Sequence, residues 1–126
     1  FILYKTTYDK TYLILFGFIV GLIIDLSLQT YGAHTLASIT VCYLKERIEK
    51  YSFGVNSTLP LAMIRGTQQT NRVTYFFLII FLHSLIYFSL IFFKFEFALT
   101  IFLFTLINSI INFIIIWIIS MLIFDK

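Results

Sequence analysis

Residues 73–93 contain no Asp, Glu, Lys or Arg across 21 positions, and residues 97–124 contain none across 28. A helix needs about 20 apolar residues to cross the hydrocarbon core of a bilayer, where every backbone polar group must be satisfied within the segment. Two such runs, separated by a short break at Lys94, predict a pair of antiparallel membrane-spanning helices. Composition points the same way. The chain is 60% hydrophobic and 12% charged, with a mean hydropathy of +0.98, more apolar surface than a water-soluble domain of 126 residues can hide.

The front half is less uniform. Residues 11–28 read as a span interrupted by Asp25, and residues 32–48 as a shorter, polar-faced helix that continues into water. Between them Gln29, Thr30, Tyr31 and Gly32 predict a tight turn, with Gly32 suited to a left-handed backbone position. The expected fold is an all-α integral membrane protein: a single membrane domain over 1–126, a polytopic bundle of four transmembrane helices at about 11–28, 32–48, 73–93 and 97–124, with a loop at 49–72.

Basic residues are retained on the cytoplasmic side of a membrane. With four spans, Lys5, Lys10, Lys45, Arg47, Lys50, Arg65, Arg72 and Lys126 all fall on one side and only Lys94 on the other. The chain start, the loop 49–72 and the carboxyl end are therefore expected in the cytoplasm, and Asp25 near the outer end of its helix. The net charge of +3 is then topogenic, and no nucleic-acid partner is expected. The single Cys42 excludes an intrachain disulfide. A start at Phe1 predicts a chain that continues from an earlier segment, with residues 1–4 as the tail of a preceding span.

The loop carries weaker signals. Lys45 with Glu49, and Glu46 with Lys50, are spaced i,i+4 and read as a solvated helix end. Gly54, Pro60 and Gly66 punctuate the segment, and residues 59–64 form a short apolar stretch, expected to pack under the bundle, the alternative being a dip into the membrane surface or contact with a partner. Asn56, Ser57 and Thr58 match a glycosylation sequon, expected to be silent on the cytoplasmic side.

An ionisable group inside a membrane segment costs at least about 2.5 kcal/mol, so Asp25 is the first place to look for function. Gly17 and Gly21 share one helix face and allow another helix to approach closely; Asp25 continues that face and should point into a helix contact rather than at lipid. Two roles stay open for it, a structural carboxyl or a working group, and His34 is either its partner or the edge of an amphipathic helix. Farther along, His83 and Tyr87 lie one turn apart, and Thr105, Asn108 and Asn112 form a polar stripe. Interhelical hydrogen bonding is the expected role of the Asn pair, and a satisfied interior position that of His83. No histidine pair at metal spacing, no second intramembrane carboxylate, no Gly-x-Ser-x-Gly and no phosphate loop is present. No enzyme, cofactor or metal is expected.

The run from Gly17 through Gly21 to Asp25, then Gly32, Ala33 and His34, then a small-residue helix ending in Lys45, Glu46 and Arg47, resembles the signature hairpin of the MreD family of bacterial rod shape-determining proteins. Gln68, Asn71, Arg72 and His83 are similar to members from the Bacteroidetes lineage. The resemblance implies a six-helix protein of the bacterial inner (plasma) membrane, similar in fold to the S components of energy-coupling factor transporters, of which this chain lacks the first helices. It also implies a non-catalytic role in lateral peptidoglycan synthesis and cell shape, with an MreC-like protein, a RodA-type glycosyltransferase and its transpeptidase as partners, coupled to MreB filaments. The alternative is a small-molecule binding or transport subunit using Asp25, His34 and Asn108 as ligand groups. A proton-coupled path through Asp25 and the two histidines is a third, for which the titratable groups are few.

Overall fold

The computed structural model describes residues 9–54 and 69–124, and within them the fold is all-helical. Helix α1 (Lys10–Leu28) is followed by α2 (Ala33–Phe53), α3 (Gln69–Phe92), a 3-10 turn at Phe95–Phe97 and α4 (Ala98–Phe124). Helices α1, α3 and α4 are each long and apolar enough to cross a membrane, so the protein is membrane-embedded.

Among the described residues, three of the four expected spans are long and apolar enough to cross. Helix α2 has the length, with 21 residues, but Lys45, Glu46, Arg47, Glu49 and Lys50 occupy its second half. Its uncharged part, residues 33–44, extends only about 18 Å at 1.5 Å per residue.

The loop expected at 49–72 is also shorter than its charges and glycines imply. The i,i+4 pairs Lys45–Glu49 and Glu46–Lys50 both form and carry α2 on to Phe53. Gly54, at φ 93, ends the helix with its N–H on the Lys50 carbonyl at 2.9 Å. Helix α3 then begins at Gln69, four residues before the first position of its uncharged run. The sequon at Asn56, the apolar stretch 59–64, Pro60, Gly66 and the tail 1–4 lie outside the described residues.

Each helix packs mainly on its neighbour in the chain, α1 on α2, α2 on α3 and α3 on α4. That makes α2 and α3 the middle of the assembly. Val41 of α2 meets Tyr75, Phe76 and Ile79 of α3 in the core, closed by Phe113, Ile116 and Trp117 of α4. Ala33, Ala37 and Cys42 of α2 are also buried, small side chains of the kind that let helices approach closely.

Helix α1 buries only Leu13, Gly17, Gly21 and Asp25, one residue per turn. Ile19, Ile23 and Leu26 are among the side chains it leaves exposed, a surface composed for lipid. Helix α4 repeats this division, with Thr105, Ser109 and Ser120 buried and Ile107, Ile111, Ile114 and Ile118 exposed.

Candidate functional site

Every helix begins with four N–H groups that have no partner within it. At the start of α2 the N-cap residue is Gly32, which offers no side chain to accept from them. Asp25 of α1 takes that role from across the hairpin. Its Oδ1 accepts from the His34 N–H at 3.0 Å and its Oδ2 from the Thr35 N–H at 2.8 Å. The hydroxyls of Thr30 and Thr35 add donors to Oδ1 and Oδ2 at 2.5 and 2.6 Å.

The Ala33 N–H is met inside the turn by the Thr30 carbonyl at 3.1 Å, and the Leu36 N–H makes the first bond of the helix proper, to the carbonyl of the N-cap Gly32 at 3.0 Å. The main chain of Asp25 serves the other helix, its carbonyl accepting from the Gln29 and Thr30 N–H groups that close α1. One residue thus ends α1 and begins α2.

This explains how a carboxylate is held where, among the described residues, no lysine or arginine is paired with it. The first turn of a helix carries a partial positive charge of roughly +0.5, and a carboxylate placed there is stabilised as a bound anion would be. Both oxygens accept from backbone N–H groups, and all four contacts are donated to them, the bonding pattern of a carboxylate. At 5% exposure, Asp25 presents almost nothing to solvent or lipid.

Gly21 sets the distance that makes the clamp. A Cβ built there would lie 2.6 Å from the Thr35 Cα, 3.0 Å from its N and 3.1 Å from the His34 carbonyl oxygen. All three are backbone atoms of α2, so the helices approach over the bare Gly21 backbone. Gly17 is buried one turn earlier on the same face. The turn itself is tight: Gln29 and Tyr31 join Gly32 at positive φ, at 54° and 50° against 89° for the glycine. Only Gly32 of these was legible as a left-handed position.

The His34 ring goes elsewhere. Asp25 receives the His34 backbone N–H, while the imidazole stacks on Tyr87 at 4.2 Å and lies 6.1 Å from His83, centroid to centroid. Ser38 Oγ is 3.4 Å from His83 Nε2. His34 Nε2 is buried with no hydrogen-bond partner among the described residues. His34, Ser38, His83 and Tyr87 therefore form one polar cluster between α2 and α3.

The expected polar stripe of α4 divides by residue. Asn108 donates to Ser84 of α3 at 2.9 Å, an interhelical bond. Asn112 donates to the Asn108 carbonyl of its own helix, so the Asn pair expected to join helices does so through one member. Thr105 is fully buried, and its hydroxyl has no partner among the described residues.

The structure also adds groups that sequence spacing did not single out. Thr30 and Thr35 complete the Asp25 clamp, and Ser84 receives Asn108. Lys45 and Glu49, expected on a solvated helix end, are buried instead, at 2% and 6% exposure, and paired to each other. The Tyr75 hydroxyl donates to Glu49 Oε1 at 3.1 Å.

The signal for this was the helical period. Ser38, Val41, Cys42, Lys45, Glu49 and Ser52 continue one buried stripe along α2. Only the second pair, Glu46–Lys50, is solvated, at 2.8 Å with both side chains about half exposed. Lys50, by hydrogen bond and by charge, holds the Glu46 carboxyl below the usual range. Tyr75→Phe removes a donor from a buried carboxylate and is expected to cost about 1–2 kcal/mol in an unfolding titration. A cost below about 0.3 kcal/mol would show that Glu49 is satisfied without it.

Chemically the arrangement is a binding of one helix to another. Among the described residues no group of three or more His, Cys, Asp or Glu is placed to hold a metal. A comparison of the chain with protein-family models, with curated proteins and with solved structures finds no match.

Proposed function

We propose that this chain is a non-catalytic scaffold subunit of the inner membrane, in which the α1–α2 hairpin is a rigid element presented to partner proteins. The observation that carries the reading is the use made of Asp25. Its acceptors are occupied by Thr30, His34 and Thr35, so the one carboxylate within the three apolar helices is committed to architecture and is not free to bind a ligand or move a proton. The filled core around Val41 and Phe76, each 1% exposed, supports the same reading.

The complex it serves is proposed from the resemblance to MreD: the cell-elongation machinery, with an MreC-like protein and the RodA-type synthase pair as partners and MreB filaments beyond them. In this reading α2 crosses the membrane as a fourth, shortened span, and the Lys10 and Arg72 ends of the helices face the cytoplasm.

The test is co-purification from native membranes. Wild-type protein is expected to bring MreC with it, and Gly21→Leu and Asp25→Ala variants that still insert are expected to retain much less. Unchanged MreC recovery in both variants would sink the mechanism.

A second reading, a small-molecule binding subunit, draws on the unpartnered His34 Nε2 beside His83 and Tyr87. Under it, His34→Phe would abolish ligand retention while leaving MreC recovery intact.

A further inference from the structure

The end of the molecule opposite the hairpin turn carries an exposed face that none of the foregoing uses. The uncharged run of α1 begins at Thr11, so Lys10 marks the depth at which that helix meets water. Lys10 Nζ sits over the ring of Tyr43 of α2, 4.3 Å from its centroid. Tyr43 therefore lies at the same boundary, where amphipathic aromatic side chains are favoured at the level of lipid headgroups.

Arg47, Lys50 and Tyr51 follow Tyr43 on α2 at i+4, i+7 and i+8, which keeps them on one face. Tyr43 is 53% exposed and Tyr51 79%. Two acids lie at this end: Glu46 is paired with Lys50 at 2.8 Å, and Asp9 caps the start of α1 through the Thr11 N–H. Lys10 and Arg47 have no salt bridge among the described residues. Two cations at the membrane edge, one a guanidinium able to grip two phosphate oxygens at once, are flanked by two exposed tyrosines.

We propose that this face is a binding site for an anionic phospholipid, with Arg47 and Lys10 on the headgroup phosphate, Tyr43 against the glycerol region and Tyr51 on the water side of the headgroup. The proposal rests on the membrane-embedded fold and not on the identity of any protein partner. It therefore stands or falls separately from the scaffold reading.

The test uses the full chain, stripped of lipid in neutral detergent. Phosphatidylglycerol and phosphatidylcholine of identical acyl chains are offered in turn, and native mass spectrometry counts the retained molecules. Wild-type protein is expected to favour phosphatidylglycerol at least tenfold. Each basic residue near an anionic headgroup is worth about a fivefold change, so Lys10→Gln with Arg47→Gln should reduce the preference more than tenfold. Lys94→Gln, an exposed cation at the other end, should leave it unchanged.

Both altered side chains are on the surface, and unchanged helicity by circular dichroism would confirm the fold. Equal retention of the two lipids by wild type would overturn the proposal, as would a loss of preference in Lys94→Gln as large as in the double variant. So would a soluble hexaglutamate peptide that binds through Lys10 and Arg47 while lipid preference is absent.

Discussion

Asp25→Ala is expected to lower the stability of the folded chain by about 2–4 kcal/mol, measured by unfolding in mixed micelles. The estimate rests on the two amides left behind. The N–H groups of His34 and Thr35 lose their acceptor, and a buried donor without a partner costs about 1–3 kcal/mol. The threonine hydroxyls can turn to other acceptors and add less. Interhelical hydrogen bonds in membranes average only about 0.6 kcal/mol, because separated helices find other partners. Amides at a helix start have fewer alternatives, since Gly32 offers no side chain in place of Asp25.

Asp25→Asn separates charge and acceptor geometry from bulk. The amide keeps the shape and one acceptor oxygen but turns a donor toward an N–H, so it should recover at most about half of the loss. Thr40→Ala, which removes only a bond to its own helix at the Leu36 carbonyl, should stay within about 0.5 kcal/mol of wild type. An Asp25→Asn variant as stable as wild type would mean that the site needs volume rather than an acceptor.

How far this clamp was legible in the sequence depends on the kind of signal each part sends. Long uncharged runs are unambiguous, and α3 and α4 are found where those runs lie, with α3 starting earlier. The Gly17, Gly21, Asp25 face follows from the 3.6-residue period and is the face α1 buries. What Asp25 touches was not legible. Its strongest partners are backbone amides, which every residue has, and helix position alone decides which are unpaired. Spacing suggested the His34 side chain; geometry selected the His34 amide.

The Lys45–Glu49 pair failed for the opposite reason. Its i,i+4 spacing is the same as that of Glu46–Lys50, and the packing of α3, with the Tyr75 hydroxyl on Glu49, distinguishes the buried pair from the solvated one. The span count rests on charge segregation, which needs α2 to change sides but says nothing of how many apolar residues it has.

Gly21→Leu is expected to have the larger effect, because it acts on the distance between helices rather than on one group. Even Gly21→Ala places a carbon 2.6 Å from the Thr35 Cα, a separation that no side-chain rotation relieves. The helices must move apart by the order of 1 Å. Overpacking of this kind costs about 1–3 kcal/mol by itself. Here the same displacement lengthens both Asp25 bonds to Thr35, at 2.8 and 2.6 Å in the intact hairpin. The sum for alanine is therefore about 3–5 kcal/mol, and leucine should prevent hairpin closure.

The shared cause makes a sharper claim than either number. If Gly21 matters because it lets Asp25 reach the start of α2, the two substitutions remove the same interactions and cannot add. A double-mutant cycle of Gly21→Ala and Asp25→Ala should give a combined loss at least about 1 kcal/mol smaller than the sum of the single losses. Strict additivity would mean that close approach and carboxylate capping are independent, and that the hairpin is held by packing alone.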